Sequence, residues 1–183
     1  MKKIVLLGDS IRLIGYGARV EEALSSEFEV WQPKENCRFA KNTLRMLWDY
    51  RNEIKDCDVI HWNNGLWDIC DIFGDGMFTS IKQYVEEMLR IAKLLKARSR
   101  VVIFATTTPV LPAHQYNDNR MIAAYNAALV PRLLELGVVI NDLYTPLYGD
   151  LNRYIRSDDL IHLTPEGIDL CARLVEEKIR EQM

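Results

Sequence analysis

The chain has 183 residues, which is enough for one domain with a single buried core. Lys and Arg together number 23 and Asp and Glu number 26, so the formal net charge is −3. Nucleic-acid-binding domains carry a basic excess that this chain lacks, and we therefore expect no nucleic-acid partner. The composition gives no indication of the oligomeric state.

The apolar runs and the cysteines exclude several classes of protein. The run that follows the first three residues, Ile4 to Leu7, has four residues, whereas a signal peptide needs roughly 7–15. No run reaches the roughly 20 apolar residues of a membrane span, so we expect a cytoplasmic protein with no membrane contact. The cysteines form no CxxC pair and no zinc-site spacing, and we expect reduced thiols and no metal. They are Cys37, Cys57, Cys70 and Cys171.

Short apolar segments typical of buried strands alternate with longer segments of helical periodicity. Strands are predicted at residues 3–7, 28–31, 58–62, 101–105 and 138–141. Helices are predicted at residues 12–26, 42–54, 79–97 and 119–136, and a last helix begins at Thr164 and Pro165. This alternation predicts one α/β domain over residues 1–183, a three-layer α/β/α sandwich around a five-stranded parallel sheet.

Polar residues follow the first predicted strand. In Gly8-Asp9-Ser10 the serine lies at a strand-to-helix turn, where its hydroxyl can project from the sheet edge and its own N–H can stabilise an oxyanion. The alternative is that Asp9 or Ser10 only caps the following helix. A serine nucleophile also needs a base.

A histidine near the end of the chain can supply that base. His162 lies three residues after Asp159, just before the last helix. A histidine has a suitable pKa, and a carboxylate can hold its tautomer. The alternative is an ordinary surface loop with an Asp-rich turn.

Two further segments follow strands at the same predicted edge. In His61-Trp62-Asn63-Asn64-Gly65 a side-chain amide could donate to an oxyanion, although Asn-Asn-Gly is also typical of a turn. In the segment 36–43 a small residue such as Ala40 would let a backbone N–H approach the substrate. The candidate substrate-binding residues are Asp9, Trp62, Asn64, Leu66, Trp67 and His114, and ordinary packing is the alternative for each tryptophan and for Leu66. His61 lies within a strand and is expected to be a core histidine.

The order and placement of these segments resemble the SGNH (GDSL-like) hydrolase family over nearly the whole chain. The most specific match is the segment from Asp159 to Gly167, and residues 120–126 are similar to the helix before the family's last strand. The resemblance implies a flavodoxin-like strand order, Ser10 as nucleophile, His162 as base and Asp159 as its orienting carboxylate. It also implies that Asn63 and the Ala40 N–H stabilise the oxyanion. Ala40 stands where the family has Gly, Asn64 where it usually has Asp, and Trp62 or His61 where it has the Gly before the Asn.

The expected function is hydrolysis of a small acyl ester, with an O-acetylated carbohydrate as one candidate substrate and no cofactor. Two alternatives are non-catalytic. One is a flavodoxin-like binding protein in which Gly8-Asp9-Ser10 cradles a phosphate. The other is a protein of the same fold that binds a glycan without turnover.

Overall fold

Five parallel strands form the central sheet, in the order β2-β1-β3-β4-β5. The computed structural model describes all 183 residues. This order is that of the flavodoxin-like doubly wound folds, as the resemblance implies. The strands are β1 (Lys3–Leu7), β2 (Glu29–Trp31), β3 (Cys57–Trp62), β4 (Ser99–Ala105) and β5 (Val139–Asn141).

Helices cover both faces of the sheet. A wide helical turn, Ile11–Tyr16, leads into the first α-helix; the helices are α1 (Gly17–Leu24), α2 (Ala40–Asp49), α3 (Ile81–Lys96), α4 (Asn119–Glu135), α5 (Tyr144–Tyr148), α6 (Leu151–Tyr154) and α7 (Pro165–Arg180). Helix α1 packs on α7, and α3 packs on both α2 and α4. The first crossover runs from β1 towards β2, and the later crossovers run the other way, towards β5. Since each crossover is right-handed, α1 and α7 lie on one face of the sheet and α2, α3 and α4 lie on the other. The predicted three-layer architecture is confirmed.

The core explains why the central strands are apolar throughout rather than alternating. Strand β1 pairs with β2 on one side and β3 on the other, so it lies inside the sheet, and the helices of both layers cover its two faces. Its residues from Ile4 to Leu7 are all buried. The buried apolar side chains form one continuous cluster of 42 residues. No helix is long and apolar enough to cross a membrane.

The structure differs from the predicted elements at three places. The predicted helix 12–26 is interrupted at Gly15, whose backbone (φ −106°, ψ −114°) is not helical. Helix α2 ends at Asp49 instead of residue 54. Helices α5 and α6 lie in a stretch predicted to be irregular, because each is too short to show helical periodicity.

Candidate active site

Ser10 lies in the tight turn that follows β1, at the carboxyl edge of the sheet. The backbone passes close to β3 there: a Cβ added to Gly8 would meet Oδ1 of Asn63 at 2.0 Å. Only glycine allows this approach. Ser10 has helical backbone angles (φ −62°, ψ −26°) and precedes the turn Ile11–Tyr16. Its own N–H makes no hydrogen bond within the protein, so this donor remains available.

His162 meets Ser10 from the other end of the chain. Its Nε2 lies 2.9 Å from the Ser10 Oγ, and its Nδ1 lies 3.0 Å from Oδ2 of Asp159. With Nδ1 donating to the carboxylate, Nε2 is left as the acceptor that faces the serine hydroxyl. The structure thus brings together Ser10, His162 and Asp159 in the relay expected of a nucleophile, a base and an orienting carboxylate.

The turn between Asp159 and His162 holds the carboxylate in place. Leu160 has a left-handed backbone (φ +67°), unusual for a residue with a branched side chain. The turn directs the N–H groups of Ile161 and His162 onto Oδ1 of Asp159, at 3.1 and 2.9 Å. Strain of this kind persists only where surrounding contacts determine the conformation, and it is often found at functional sites.

These contacts also keep Asp159 ionised. Partial burial works against the charge, but the hydrogen bonds from the two backbone N–H groups and from the His162 ring outweigh it. Together they lower the pKa of Asp159 to about 2. The carboxylate therefore remains negative at all ordinary pH values and can stabilise an imidazolium at His162.

Asn63 is fixed in one orientation at the end of β3. Its Oδ1 accepts from the Tyr16 hydroxyl at 2.9 Å, and its Nδ2 donates to Oδ1 of Asp9 at 2.8 Å. The Asp9 carboxylate, which can only accept, determines which end of the amide is the donor end, and the Tyr16 hydroxyl then donates to the other end. Because Nδ2 carries two hydrogens and Asp9 uses one, the second N–H has no partner in the protein.

The structure contradicts the expected role of Ala40. Its N–H donates to Oδ2 of Asp68 at 3.0 Å, and the residue is fully buried, so this N–H is not available to an oxyanion. The Thr79 hydroxyl donates to the other oxygen of Asp68 at 2.7 Å. Burial raises the pKa of Asp68 to about 6, although both hydrogen bonds favour the charged form. Asp68 joins the start of α2 to the loop before α3.

Asp9 is a buried support and not a contact for substrate. Its Oδ1 accepts from the Ile11 N–H at 2.9 Å as well as from Asn63. Burial raises the pKa of Asp9, with both hydrogen bonds acting in the opposite direction. Because Asp9 occupies the Ile11 N–H, this loop presents fewer free donors than a phosphate cradle requires. The expected substrate contact at Asp9 is therefore wrong.

Trp62 and Asn64 are also structural. Trp62 is completely buried, and its indole N–H donates to Oδ1 of Asn64 at 2.9 Å. The amide of Asn64 donates to the Arg38 carbonyl at 2.7 Å, and its Oδ1 also accepts from the Thr43 hydroxyl. These contacts join the end of β3 to the loop before α2. Neither side chain reaches the surface, so both expected substrate contacts are wrong.

An apolar cavity opens beside Ser10. Its volume is about 240 Å³. Three of the expected substrate-binding residues, Leu66, Trp67 and His114, line it. The rest of its wall is formed by Phe39, Cys70, Ile72, Phe78, Tyr116, Asn117 and Ile161. A second, more polar cavity of about 670 Å³ adjoins it and shares His114, Tyr116 and Asn117.

The two other histidines have different environments. Nδ1 of His114 accepts from the N–H groups of Tyr116 and Asn117, at 3.3 and 3.0 Å, so its proton is on Nε2. Burial lowers the pKa of His114. His61 is completely buried, with Nε2 at 3.3 Å from Nδ2 of Asn141, and burial lowers its pKa to about 3. His61 is thus the core histidine that its place in β3 predicts.

The sequence reasoning missed residues that support the site from a distance. Tyr16 orients Asn63, Asp68 holds the start of α2, and Phe39 and Phe78 form the cavity wall. The one available signal was Asp68, an acidic residue between apolar neighbours in a long loop. For the aromatic residues nothing in the local pattern distinguishes a cavity wall from ordinary packing.

Comparisons with known proteins agree on the fold. No protein-family model matches the chain. No curated protein matches it in sequence. Among solved structures, the lipase/acylhydrolase from Enterococcus faecalis is 18% identical and has a TM-score of 0.83, covering 100% of this chain and 97% of that one.

Two further structures extend the comparison. The acetylxylan esterase Axe2 from Geobacillus stearothermophilus is 16% identical with a TM-score of 0.78, over 97% of this chain and 94% of the other. A GDSL-like lipase from Bacteroides thetaiotaomicron is 18% identical with a TM-score of 0.73, over 100% and 89%. The chain therefore has the fold of the SGNH-type hydrolases, as its sequence resemblance implies.

Proposed function

We propose that the protein is a serine esterase, with Ser10 as nucleophile, His162 as general base and Asp159 as the residue that orients it. The observation that carries this proposal is the 2.9 Å separation between the Ser10 Oγ and Nε2 of His162. Those two groups lie 152 residues apart in the chain. A serine that only capped a helix would have no need of an imidazole paired with a carboxylate.

In the first half of the reaction His162 removes the hydroxyl proton while Oγ attacks the ester carbonyl carbon. The C–Oγ bond forms, and the carbonyl oxygen takes the negative charge. The imidazolium then gives its proton to the alcohol oxygen as the C–O bond to the leaving group breaks. Asp159 stays ionised and stabilises the imidazolium throughout.

Two donors are proposed for the oxyanion. One is the Ser10 N–H at the start of a helical turn, and the other is the second N–H of the Asn63 amide. Both are unpaired within the protein, and their positions are set before substrate arrives, so no reorganisation is needed during reaction. The Ala40 N–H is left out because it already donates to Asp68.

The second half of the reaction releases the acyl group to water. His162 again acts as base and removes a proton from the attacking water, and the proton passes to Ser10 Oγ as the acyl–enzyme bond breaks. The acid and the alcohol leave as separate products, and the site returns to its starting state. No cofactor takes part in these steps.

The leaving alcohol should be polar. It must lie within reach of His162, on the side where Arg156 lines a small cleft of about 60 Å³ with Ser10 and His162. Arg156 pairs with Asp158 and is half-exposed, so a charged group meets water here beside the apolar side chains of Ile14 and Leu163. An O-acylated carbohydrate is one such substrate, and the Geobacillus stearothermophilus enzyme of similar fold is named as an acetylxylan esterase.

The proposal is tested by comparing the purified protein with Ser10→Ala on p-nitrophenyl esters. We expect kcat/KM to fall by at least about 10⁴-fold, because the covalent route is lost. Ser80→Ala serves as the matched control, because Ser80 caps α3 outside the site and should leave activity unchanged. Hydrolysis by Ser10→Ala at the wild-type rate would refute the proposal.

Labelling separates an esterase from a binding protein of the same fold. A fluorophosphonate should modify the wild-type protein once, at Ser10, and should not modify Ser10→Ala. His162→Ala should slow the labelling, because the serine would lose its base. A wild-type protein that neither labels nor hydrolyses any ester would favour the non-catalytic glycan-binding alternative.

A further inference from the structure

We infer that the apolar cavity beside Ser10 binds the acyl part of the substrate, and that this acyl group is a chain of about six carbons rather than acetyl. This inference rests on the proposed esterase function and specifies its substrate. It is carried by the wall of the cavity, by its volume and by its position relative to His162.

The wall is almost entirely apolar. Aromatic rings contact one another edge to face around it: the ring centroids of Phe39 and Trp67 are 5.4 Å apart, and those of Phe39 and Phe78 are 5.3 Å apart. Leu66 and Ile161 add aliphatic surface. Such a wall favours a group that loses its contact with water and needs no hydrogen bonds.

The wall carries few polar groups, and some of their hydrogen-bonding atoms are already occupied by the protein. Nδ2 of Asn117 donates to the Leu66 carbonyl at 2.9 Å. Nδ1 of His114 accepts from two backbone N–H groups, so only its Nε2–H is free. A sugar bound here would find few hydrogen-bond partners in the wall, and each hydroxyl that lost water without gaining a partner would cost about 1–3 kcal/mol. The cavity therefore selects against a carbohydrate.

The volume indicates the size of the chain. A cavity of about 150 Å³ is enough to hold benzene, and this one has about 240 Å³. An acetyl group would cover only the part nearest to Ser10 and leave most of the apolar wall in water. A six-carbon chain would extend along the wall towards Cys70 and Phe78.

The position of His162 distinguishes the acyl side from the alcohol side. The alcohol oxygen must receive its proton from Nε2 of His162, so the alcohol lies on the side of that ring. The small cleft with Arg156 is lined by both Ser10 and His162, whereas the apolar cavity is lined by Ser10 without His162. The apolar cavity is thus where the acyl chain remains after the alcohol has left.

Buried methylene groups predict the size of the preference. Transfer of one methylene from water to an apolar site is worth about fourfold in kcat/KM. Because the cavity is open along one side, we expect about half of that free energy, or about twofold per methylene. From acetyl to hexanoyl, four methylenes then give a rise of about 16-fold, and full burial would give about 200-fold.

The test uses p-nitrophenyl acetate, butanoate and hexanoate, which share one leaving group. In the wild-type protein kcat/KM should rise along this series. Cys70→Trp, which fills the cavity, and Phe78→Ala, which removes part of its wall, should each lower the ratio of hexanoate to acetate at least fivefold. Trp48→Ala is the matched control: this tryptophan is exposed on α2, away from the cavity, and the ratio should not change.

Each other outcome would overturn the inference. A kcat/KM that stays the same or falls from acetate to hexanoate would refute the inference and leave the esterase proposal intact. A preference seen only when the alcohol of an acetate ester is lengthened would assign the cavity to the alcohol. If Phe78→Ala and Cys70→Trp both fold and keep the wild-type ratio, the chain binds elsewhere. Absence of any ester hydrolysis together with absence of Ser10 labelling would refute the proposed function itself.

Discussion

Replacing Asn63 by alanine should affect both turnover and stability, because the amide serves three groups. The unpaired N–H is the proposed oxyanion donor, and its loss should lower kcat by about 10²–10³-fold. The change also leaves the buried Tyr16 hydroxyl without its acceptor and removes one of the donors to Asp9. Each loss costs about 1–3 kcal/mol, so the free energy of unfolding should fall by about 2–6 kcal/mol. Domains are typically stable by 5–15 kcal/mol, so we expect the variant to remain folded.

The assay combines kcat for p-nitrophenyl esters with urea unfolding followed by circular dichroism. Tyr16→Phe is the comparison variant: it removes the partner of Oδ1 and leaves the donor end of the amide in place. It should lose stability while keeping kcat within about tenfold of wild type. A folded Asn63→Ala protein with kcat within fivefold of wild type would show that the amide does not stabilise the oxyanion.

Two further predictions concern a buried histidine and the orienting carboxylate. Burial lowers the pKa of His61 to about 3, so this side chain stays neutral in the folded protein, whereas in the unfolded chain it takes up a proton below about pH 6.5. The contribution of His61 to the free energy of unfolding is therefore complete above about pH 6.5 and is lost as the pH falls below that value. Between pH 7.5 and 5.0 the free energy of unfolding of the wild type should therefore fall by about 2 kcal/mol more than that of His61→Gln, and equal losses in urea titrations would contradict this. Asp159→Asn keeps an acceptor for the Ile161 and His162 N–H groups but turns a donor towards Nδ1 of His162, which moves the ring proton to Nε2. We expect kcat to drop by at least about 10²-fold. This loss is smaller than the roughly 10⁴-fold loss at a fully buried orienting carboxylate, because the Asp159 side chain is one-third exposed. An unchanged kcat with an unchanged pH profile would refute the orienting role of Asp159.

The fold was predictable because its signals are local. Continuous apolar runs such as Ile4 to Leu7 identify strands buried on both faces, and Thr164 with Pro165 identifies the start of α7, where the Thr164 hydroxyl accepts from the Gly167 N–H. Helices α5 and α6 were missed because four or five residues cannot show a helical period.

The candidate site was predictable only in part, because its support depends on contacts between distant segments. The meeting of Ser10 with His162 and Asp159 agrees with the order of the motifs along the chain. What the sequence cannot reveal is that Asp68 already occupies the Ala40 N–H, since those residues are 28 positions apart in the chain. In the same way, Trp62 and Asn64 were expected to contact substrate, yet the Trp62 indole donates to the Asn64 amide inside the protein.

Asp9 shows the same limit within a single turn. Its place beside Ser10 suggested a contact with substrate, but its carboxylate faces inward to the Ile11 N–H and the Asn63 amide. Strand-to-helix turns place consecutive side chains in different directions, and the pattern of residue types does not give those directions. Only the three-dimensional placement of β3 beside β1 reveals them.

The contact between Ser10 and His162 joins the first strand of the sheet to the approach of the last helix. A chain emerging from the ribosome presents its nucleophile first and acquires the base only 152 residues later. Ester cleavage therefore reports when these two distant segments have come together. In refolding experiments, catalytic activity should return with the slowest phase of tertiary docking and not with the first appearance of helix.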